Sequence, residues 1–311
     1  MVTGLSGRGA GARRAGGLGA RQALAAEQST APRGVGVTLT LQRVSVRIPL
    51  GPGRIVHAVT EADLTVARGT VHGLIGESGS GKSMLSATVT GLLPKRARMT
   101  GTVALEADGR TYSAADIRRA RGRTVAWVPQ SAMTYFTPVR RLGPQLAETI
   151  RCLGTAHEPG DLLHRVGLTA EVLRRYPHEL SGGMAQRAAL AFALAGDPTL
   201  IIADEPTSAL DAARAAAILG LLGEFAAAGG SVLLVTHDLT ALRAAQICTD
   251  ISVMYASRIV ETGCAGEVLT APAHPYTKDL LAALPENGLH PLPYRTPELV
   301  NLPADFRYGA T

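Results

Sequence analysis

Gly76-Glu77-Ser78-Gly79-Ser80-Gly81-Lys82-Ser83 matches the phosphate-binding pattern G-x-x-x-x-G-K-[ST] at every fixed position. The run Val71-His72-Gly73-Leu74-Ile75 before it predicts a short buried strand. Residues 84–89 after it predict a helix, stopped by Gly91 and Pro94. Strand, loop and helix in that order are the context in which the pattern cradles a phosphate. The glycines let backbone N–H groups turn inward, and the positive end of the helix points at the same place. Lys82 is expected to reach the β and γ phosphates of a nucleotide, and the Ser83 hydroxyl to be a ligand of Mg²⁺.

Upstream, alternating apolar and polar residues over 37–48 predict half-buried strands, Gly51-Pro52-Gly53 a turn, and residues 55–66 further strand. Downstream, residues 101–112 read as a hairpin turning at Asp108-Gly109, and residues 125–129 as a strand ending at Gln130. Residues 131–195 change to helical spacing (Leu142, Leu146, Ile150; Leu162, Leu163, Val166), which predicts a helical insertion. Strand and helix then alternate. Leu200-Ile201-Ile202-Ala203 is a buried strand, and Asp211 caps a long Ala/Leu helix ending at Gly229-Gly230. Residues 232–235 are a second buried strand, leading to Thr236-His237-Asp238, and residues 251–261 a hairpin around Ala256-Ser257. This pattern predicts an α/β domain with a β-rich N-terminal part and an inserted α-helical part.

Two acids follow the strand at 200–203. There Asp204 is expected to hold Mg²⁺ through water, and Glu205 to polarise an attacking water. A solvated acidic turn is the plain alternative, disfavoured by the complete phosphate loop upstream. Further, Leu180-Ser181-Gly182-Gly183-Met184-Ala185-Gln186-Arg187 opens a helix, and Asp204-Glu205-Pro206-Thr207-Ser208-Ala209-Leu210-Asp211 follows soon after. In this order and spacing the chain resembles the ATP-binding cassette (ABC) superfamily over roughly residues 37–285. The resemblance implies a P-loop NTPase cassette: a RecA-like core, an N-terminal β-subdomain and an inserted helical subdomain. It implies that Ser181, Gly182 and Gly183 offer donors to the γ-phosphate of an ATP held by a partner cassette, so that two cassettes sandwich two nucleotides. It further implies that Gln130 touches Mg²⁺ and the attacking water and senses a membrane subunit. The loop ending at Asp211 would cross to the partner, and His237 would contact the γ-phosphate. Many members stack adenine on an aromatic residue some 25 positions before the phosphate loop. Residues 51–57 contain none, which leaves His57 or an aliphatic residue.

Two stretches narrow the branch. Gln130-Ser131-Ala132-Met133-Thr134-Tyr135-Phe136-Thr137-Pro138-Val139 resembles the Met-Thr-x-x-x-Pro-Val run of the oligopeptide/dipeptide/nickel importers, with Tyr-Phe-Thr where those proteins usually have Ser-Leu-Asn. Ala273-His274-Pro275-Tyr276-Thr277-Lys278-Asp279 looks like their C-terminal His-Pro-Tyr-Thr element, read here as a Pro-started helix that packs Tyr276 on the domain. Residues 286–311 lack the cysteines that bind an iron–sulfur cluster in several relatives, so no cluster is expected. The expected protein is an ATPase subunit at the cytoplasmic face of the membrane. It would act with two permease subunits, a second ATPase subunit and an extracytoplasmic binding protein, importing peptides or nickel and metal chelates.

Composition sets outer bounds. The chain has 311 residues, 46% of them hydrophobic, enough for a real core. Net charge is +6, but residues 1–36 hold five arginines (Arg8, Arg13, Arg14, Arg21, Arg33) against Glu27. The basic balance is therefore largely a property of that segment, read as a disordered tail, and argues little for nucleic acid. The expected units are this tail, an ATPase domain over 37–271 with its helical part at 131–195, and a C-terminal element with a short tail over 272–311. The longest apolar run, residues 188–203, is broken by Asp197 and Pro198, so no membrane span is expected. Three separated cysteines (Cys152, Cys248, Cys264) read as reduced, buried and small. A soluble ABC-type ATPase acting on ribosomes or DNA is the other reading. Such chains carry two cassettes, or a long coiled coil between the halves, whereas only 99 positions separate Lys82 from Ser181.

Overall fold

The structure is a computed structural model that describes residues 36–208, 210–288, 290–294, 296–303 and 305–309. All of residues 1–36 read as a tail, except Gly36, lie outside it. The unit that begins at Val37 holds two sheets. Strands β1 (Val37–Gly51), β2 (Arg54–Ala67), β4 (Arg98–Ala107) and β5 (Arg110–Ser113) form an antiparallel sheet in the order β2-β1-β4-β5. The second sheet runs β10-β9-β3-β8-β7-β6, from Arg258–Cys264, Asp250–Tyr255, Val71–Ile75, Ser231–Thr236, Leu200–Asp204 and Val125–Val128. Its five strands β9 to β6 are mutually parallel, and β10 turns back antiparallel.

Both faces of the second sheet are covered, which is why β7 and β8 read as unbroken apolar runs. Leu200, Ile202, Leu233 and Val235 share one apolar cluster with Leu39, Leu41, Val103 and Leu105 of the first sheet. Ile201, Ala203, Val232 and Leu234 point the other way, into a cluster with the helices α5 (Gly182–Leu194) and α6 (Ala212–Ala227). The period of two thus splits each strand between two cores. Each fully buried Leu or Ile contributes about 1.5–3 kcal/mol.

Residues 131–195 carry 3₁₀ turns and helices α3 (Leu142–Leu153), α4 (Pro159–Arg165) and α5, with no strand among them. Three short helices, α2 (Ala114–Ala120), α7 (Leu239–Ala245) and α8 (Ala265–Thr270), lie outside the sequence expectation. The cysteine reading needs correction. Cys152, in the last turn of α3, and Cys264, at the end of β10, are exposed. Cys248 is partly covered, and burial pushes its thiol up to about 12. Element ends put small side chains at the surface whatever their polarity.

The C-terminal segment folds back on the domain. His274 caps helix α9 (Pro275–Ala282), whose Tyr276 is fully buried. Beyond it, Val300 pairs antiparallel with Val56 of β2. Asn301 clasps the turn before β2: its N–H donates to Ile55 O (2.8 Å), its side chain donates to Gly53 O (2.7 Å) and accepts from Ile55 N–H (2.9 Å).

His72 sits within β3, 2% exposed, with Nε2 2.9 Å from Ser252 Oγ. Burial drives its pKa down to about 4, against the pull of Asp250. The unfolded chain therefore takes up this proton first. The stability owed to neutral His72 is fully present above pH ~6.5 and is lost as pH falls toward 4, about 2 kcal/mol by pH 5. Urea unfolding at pH 7 and pH 5 should show His72→Gln losing that much less than wild type on acidification. Equal losses would remove His72 from the acid response.

Candidate active site

The functional side chains cluster at the carboxyl ends of parallel strands β3, β7 and β8, where loops leave an open α/β sheet. The phosphate loop joins β3 to helix α1 (Lys82–Val89). Two of its glycines are required by space. At Gly76 (φ +145°) a Cβ would lie 2.1 Å from Met254 O, and at Gly81 (φ +112°) 2.3 Å from Ala58 O. Glu77, Ser78, Gly79 and Ser80 complete the turn, Ser80 fully buried.

Lys82 is 4% exposed, and its ammonium folds over the loop, donating to Gly76 O (2.8 Å) and Glu77 O (2.6 Å). Burial pulls its pKa down, while Glu205, Asp204 and Glu77 oppose the shift. Ser83 Oγ donates to Asp204 Oδ1 at 3.2 Å, joining the start of α1 to the end of β7. Burial raises the Asp204 pKa, against the Ser83 hydrogen bond and Lys82, with Glu205 adding to the rise.

Next to Asp204, Glu205 adopts φ +47°, a conformation uncommon for a residue with a Cβ. Its N–H donates to Val235 O at 2.8 Å, which holds the turn against β8. The carboxylate meets two partners. Gln130 Nε2 donates to Oε2 at 2.7 Å, and His237 Nδ1 lies 3.0 Å from Oε1. The Glu205 side chain is 13% exposed, the His237 side chain 54%. Gln130 is set by β6, and Gln186 of α5 donates to Pro129 O just before it (3.0 Å).

Lys82, Ser83, Asp204, Glu205, Gln130 and His237 thus converge from four loops. Ser181, Gly182, Gly183 and Asp211 do not join them: none shares a hydrogen bond or ion pair with that group among the described residues. Ser181 Oγ caps α5 by accepting from Met184 N–H (3.3 Å), and Asp211 Oδ1 caps α6 by accepting from Arg214 N–H (2.9 Å).

The profile of the family described as ABC transporter matches residues 59–208. The "Probable D,D-dipeptide transport ATP-binding protein DdpD" of Escherichia coli (strain K12) is 38% identical over 286 residues, covering 85% of each chain. The chain belongs to the ABC transporter family of ATP-binding proteins. Oligopeptide transport ATP-binding protein OppD of Lactococcus lactis subsp. cremoris (strain SK11) is 35% identical over 285 residues, covering 86% of this chain and 83% of that one. The dimeric bacterial ABC transporter cassette MJ0796 superposes with TM-score 0.61 at 25% identity, over 73% of this chain and 98% of that one. Its post-hydrolysis form, bound to ADP and Pi, gives 0.60. This ABC chain is accordingly an ATPase whose hydrolysis of ATP powers transport. Among the described residues, no helix of it is long and apolar enough to cross a membrane.

Sequence reasoning missed two contacts made to the loop. Tyr276 OH accepts from Glu77 N–H (3.0 Å), and Thr296 Oγ1 donates to Glu77 Oε2 (2.9 Å). The His-Pro-Tyr-Thr element flagged the first, whereas no signal in the sequence marks Thr296.

Proposed function

We propose that this chain is an ATPase subunit of a peptide importer, working at the cytoplasmic face of the membrane with two permeases, a second cassette and an extracytoplasmic binding protein. The single observation carrying the catalytic reading is Glu205 held between Gln130 and His237, beside Lys82 and Asp204. Lys82 neutralises charge on the β and γ phosphates, as the loop amides of residues 76–83 hold them. Glu205 orients and polarises the attacking water, assisted by Gln130, and His237 meets the γ-phosphate.

The residues present fit a magnesium ion. Ser83 Oγ and Asp204 Oδ1, 3.2 Å apart, with the Gln130 amide oxygen, form an all-oxygen set with one carboxylate, the kind that leaves places for water and phosphate. When bound, the ion would supply positive charge that offsets the charge of the nucleotide's phosphates. Ser181, Gly182, Gly183 and Asp211 serve the ATP of the partner cassette, which accords with their lying apart from this chain's own cluster.

In domain terms, residues 1–36 are a tail, 37–271 the ATPase unit with its helical part at 131–195, and 272–311 the C-terminal element. A surface groove of 380 Å³ just after Gln130 suits a permease segment with both apolar and polar contacts; Tyr135, Phe136 and Phe192 line it together with Arg140, Gln145 and Glu148. Peptides are favoured over nickel by the relatives DdpD and OppD, which are named for D,D-dipeptide and oligopeptide transport. The same relatives disfavour a soluble ATPase acting on ribosomes or DNA.

Tagged protein from detergent-solubilised membranes should bring down two polytopic chains and a second cassette, with ATPase activity higher in the complex than alone. Recovery of ribosomes or DNA without a membrane chain would overturn the importer reading.

A further inference from the structure

The His-Pro-Tyr-Thr element has no part in the chemistry above, yet its tyrosine touches the phosphate loop. Glu77, the loop's second residue, is held at three atoms by different parts of the chain. Its N–H donates to Tyr276 OH (3.0 Å), and its carboxylate Oε2 accepts from Thr296 Oγ1 (2.9 Å), with Tyr276 OH also near it at 3.4 Å. Its carbonyl accepts from Lys82 Nζ (2.6 Å). One residue therefore links the C-terminal segment to the amine that reads phosphate.

The support is built. Tyr276 is fully buried, and its ring packs on Tyr255 (4.4 Å between centroids) and edge-on against Tyr308 (5.3 Å). Tyr308 is itself tied to α9 through Asp279 Oδ2 (2.8 Å). Burial raises the Tyr276 pKa, so the phenol stays protonated and both accepts and donates. Thr296 is anchored downstream, where His57 N–H donates to Leu299 O (2.8 Å) and Asn301 clasps residues 53–55.

We propose that Tyr276 and Thr296 are positioning residues for ATP: acting through Glu77, they fix the leading turn of the phosphate loop and with it the Lys82 amine. The C-terminal segment thereby sets nucleotide affinity without touching the nucleotide. The inference rests on residues 76–83 being the ATP site.

Tyr276→Phe deletes only the hydroxyl and keeps the ring in its stack. In the full-length chain, calorimetry should show ATP affinity about five- to tenfold weaker, the loss of one hydrogen bond to a part-buried N–H. KM for ATP should rise in parallel, with kcat at saturation within about twofold of wild type. Thr296→Val, at a partly exposed site with little bearing on folding, should weaken ATP binding about two- to threefold. The double variant should lose less than the product of the two, because both act on Glu77. Unchanged ATP affinity in both single variants, with or without a lower melting temperature, would overturn the proposal and leave these groups a merely structural role. Wild-type protein that fails to bind ATP would instead sink the site reading beneath it.

Discussion

Glu205→Gln should lower ATP turnover about 10²–10⁴-fold, the range that a positioned general base contributes. The substitution keeps the shape and one oxygen, so the strained turn at φ +47° and its N–H to Val235 O bond persist. What goes is the negative charge between Gln130 Nε2 and His237 Nδ1. A neutral amide cannot draw a proton from water, but it leaves the phosphate loop, Lys82 and Ser83 untouched. ATP binding should therefore survive, and the ATP-bound paired cassettes should accumulate. Single-turnover hydrolysis with size-exclusion chromatography in ATP reads both effects. Turnover within a few-fold of wild type would remove Glu205 from the base role.

Lys82→Ala should weaken ATP binding about 100-fold and leave no measurable turnover. Each hydrogen bond from a charged donor is worth about 1.5–3 kcal/mol, and in the proposed site the ammonium would face the most highly charged end of the nucleotide. Burial already disfavours its charge, so it is held ready for an anion at a cost to the fold. The variant should accordingly melt no lower than wild type without nucleotide, while the stabilisation conferred by ATP is lost. Lys82→Arg should not restore binding, because a planar guanidinium does not fit under the carbonyls of Gly76 and Glu77. Calorimetric titration with ATP is the measurement, and wild-type affinity in Lys82→Ala would displace the loop as the nucleotide site.

Much of the architecture is legible in the sequence because its signals are strong physical ones. Strands β3, β7 and β8 are short apolar runs buried on both faces, and the turns around them need glycine or an acid at set places. Asp211 reads as a helix cap and does cap a helix, and the stretch read as opening a helix at Ser181 does so, with Ser181 as its cap. Helices α2, α7 and α8 are about two turns or less, too short for a 3.6-residue period to declare itself. The cysteines mislead because composition carries no information on where a small side chain falls within its element. The site was partly legible. Lys82, Ser83, Asp204 and Glu205 lie in local patterns, whereas Gln130 and His237 needed the family resemblance to be singled out. The contacts of Thr296 and Asn301 were beyond reach, since they join groups more than 200 positions apart with no periodicity to announce them.

That separation bears on the order of assembly. The loop at 76–83 emerges early in synthesis, but the groups that brace Glu77 come 199 and 219 residues later. Domains fold from the N-terminus as the chain emerges, and distant contacts form last. On the proposal above, a nascent chain carries a loop of the right sequence with its braces still unmade, and full ATP affinity should be reached when the segment holding Tyr276 and Thr296 docks.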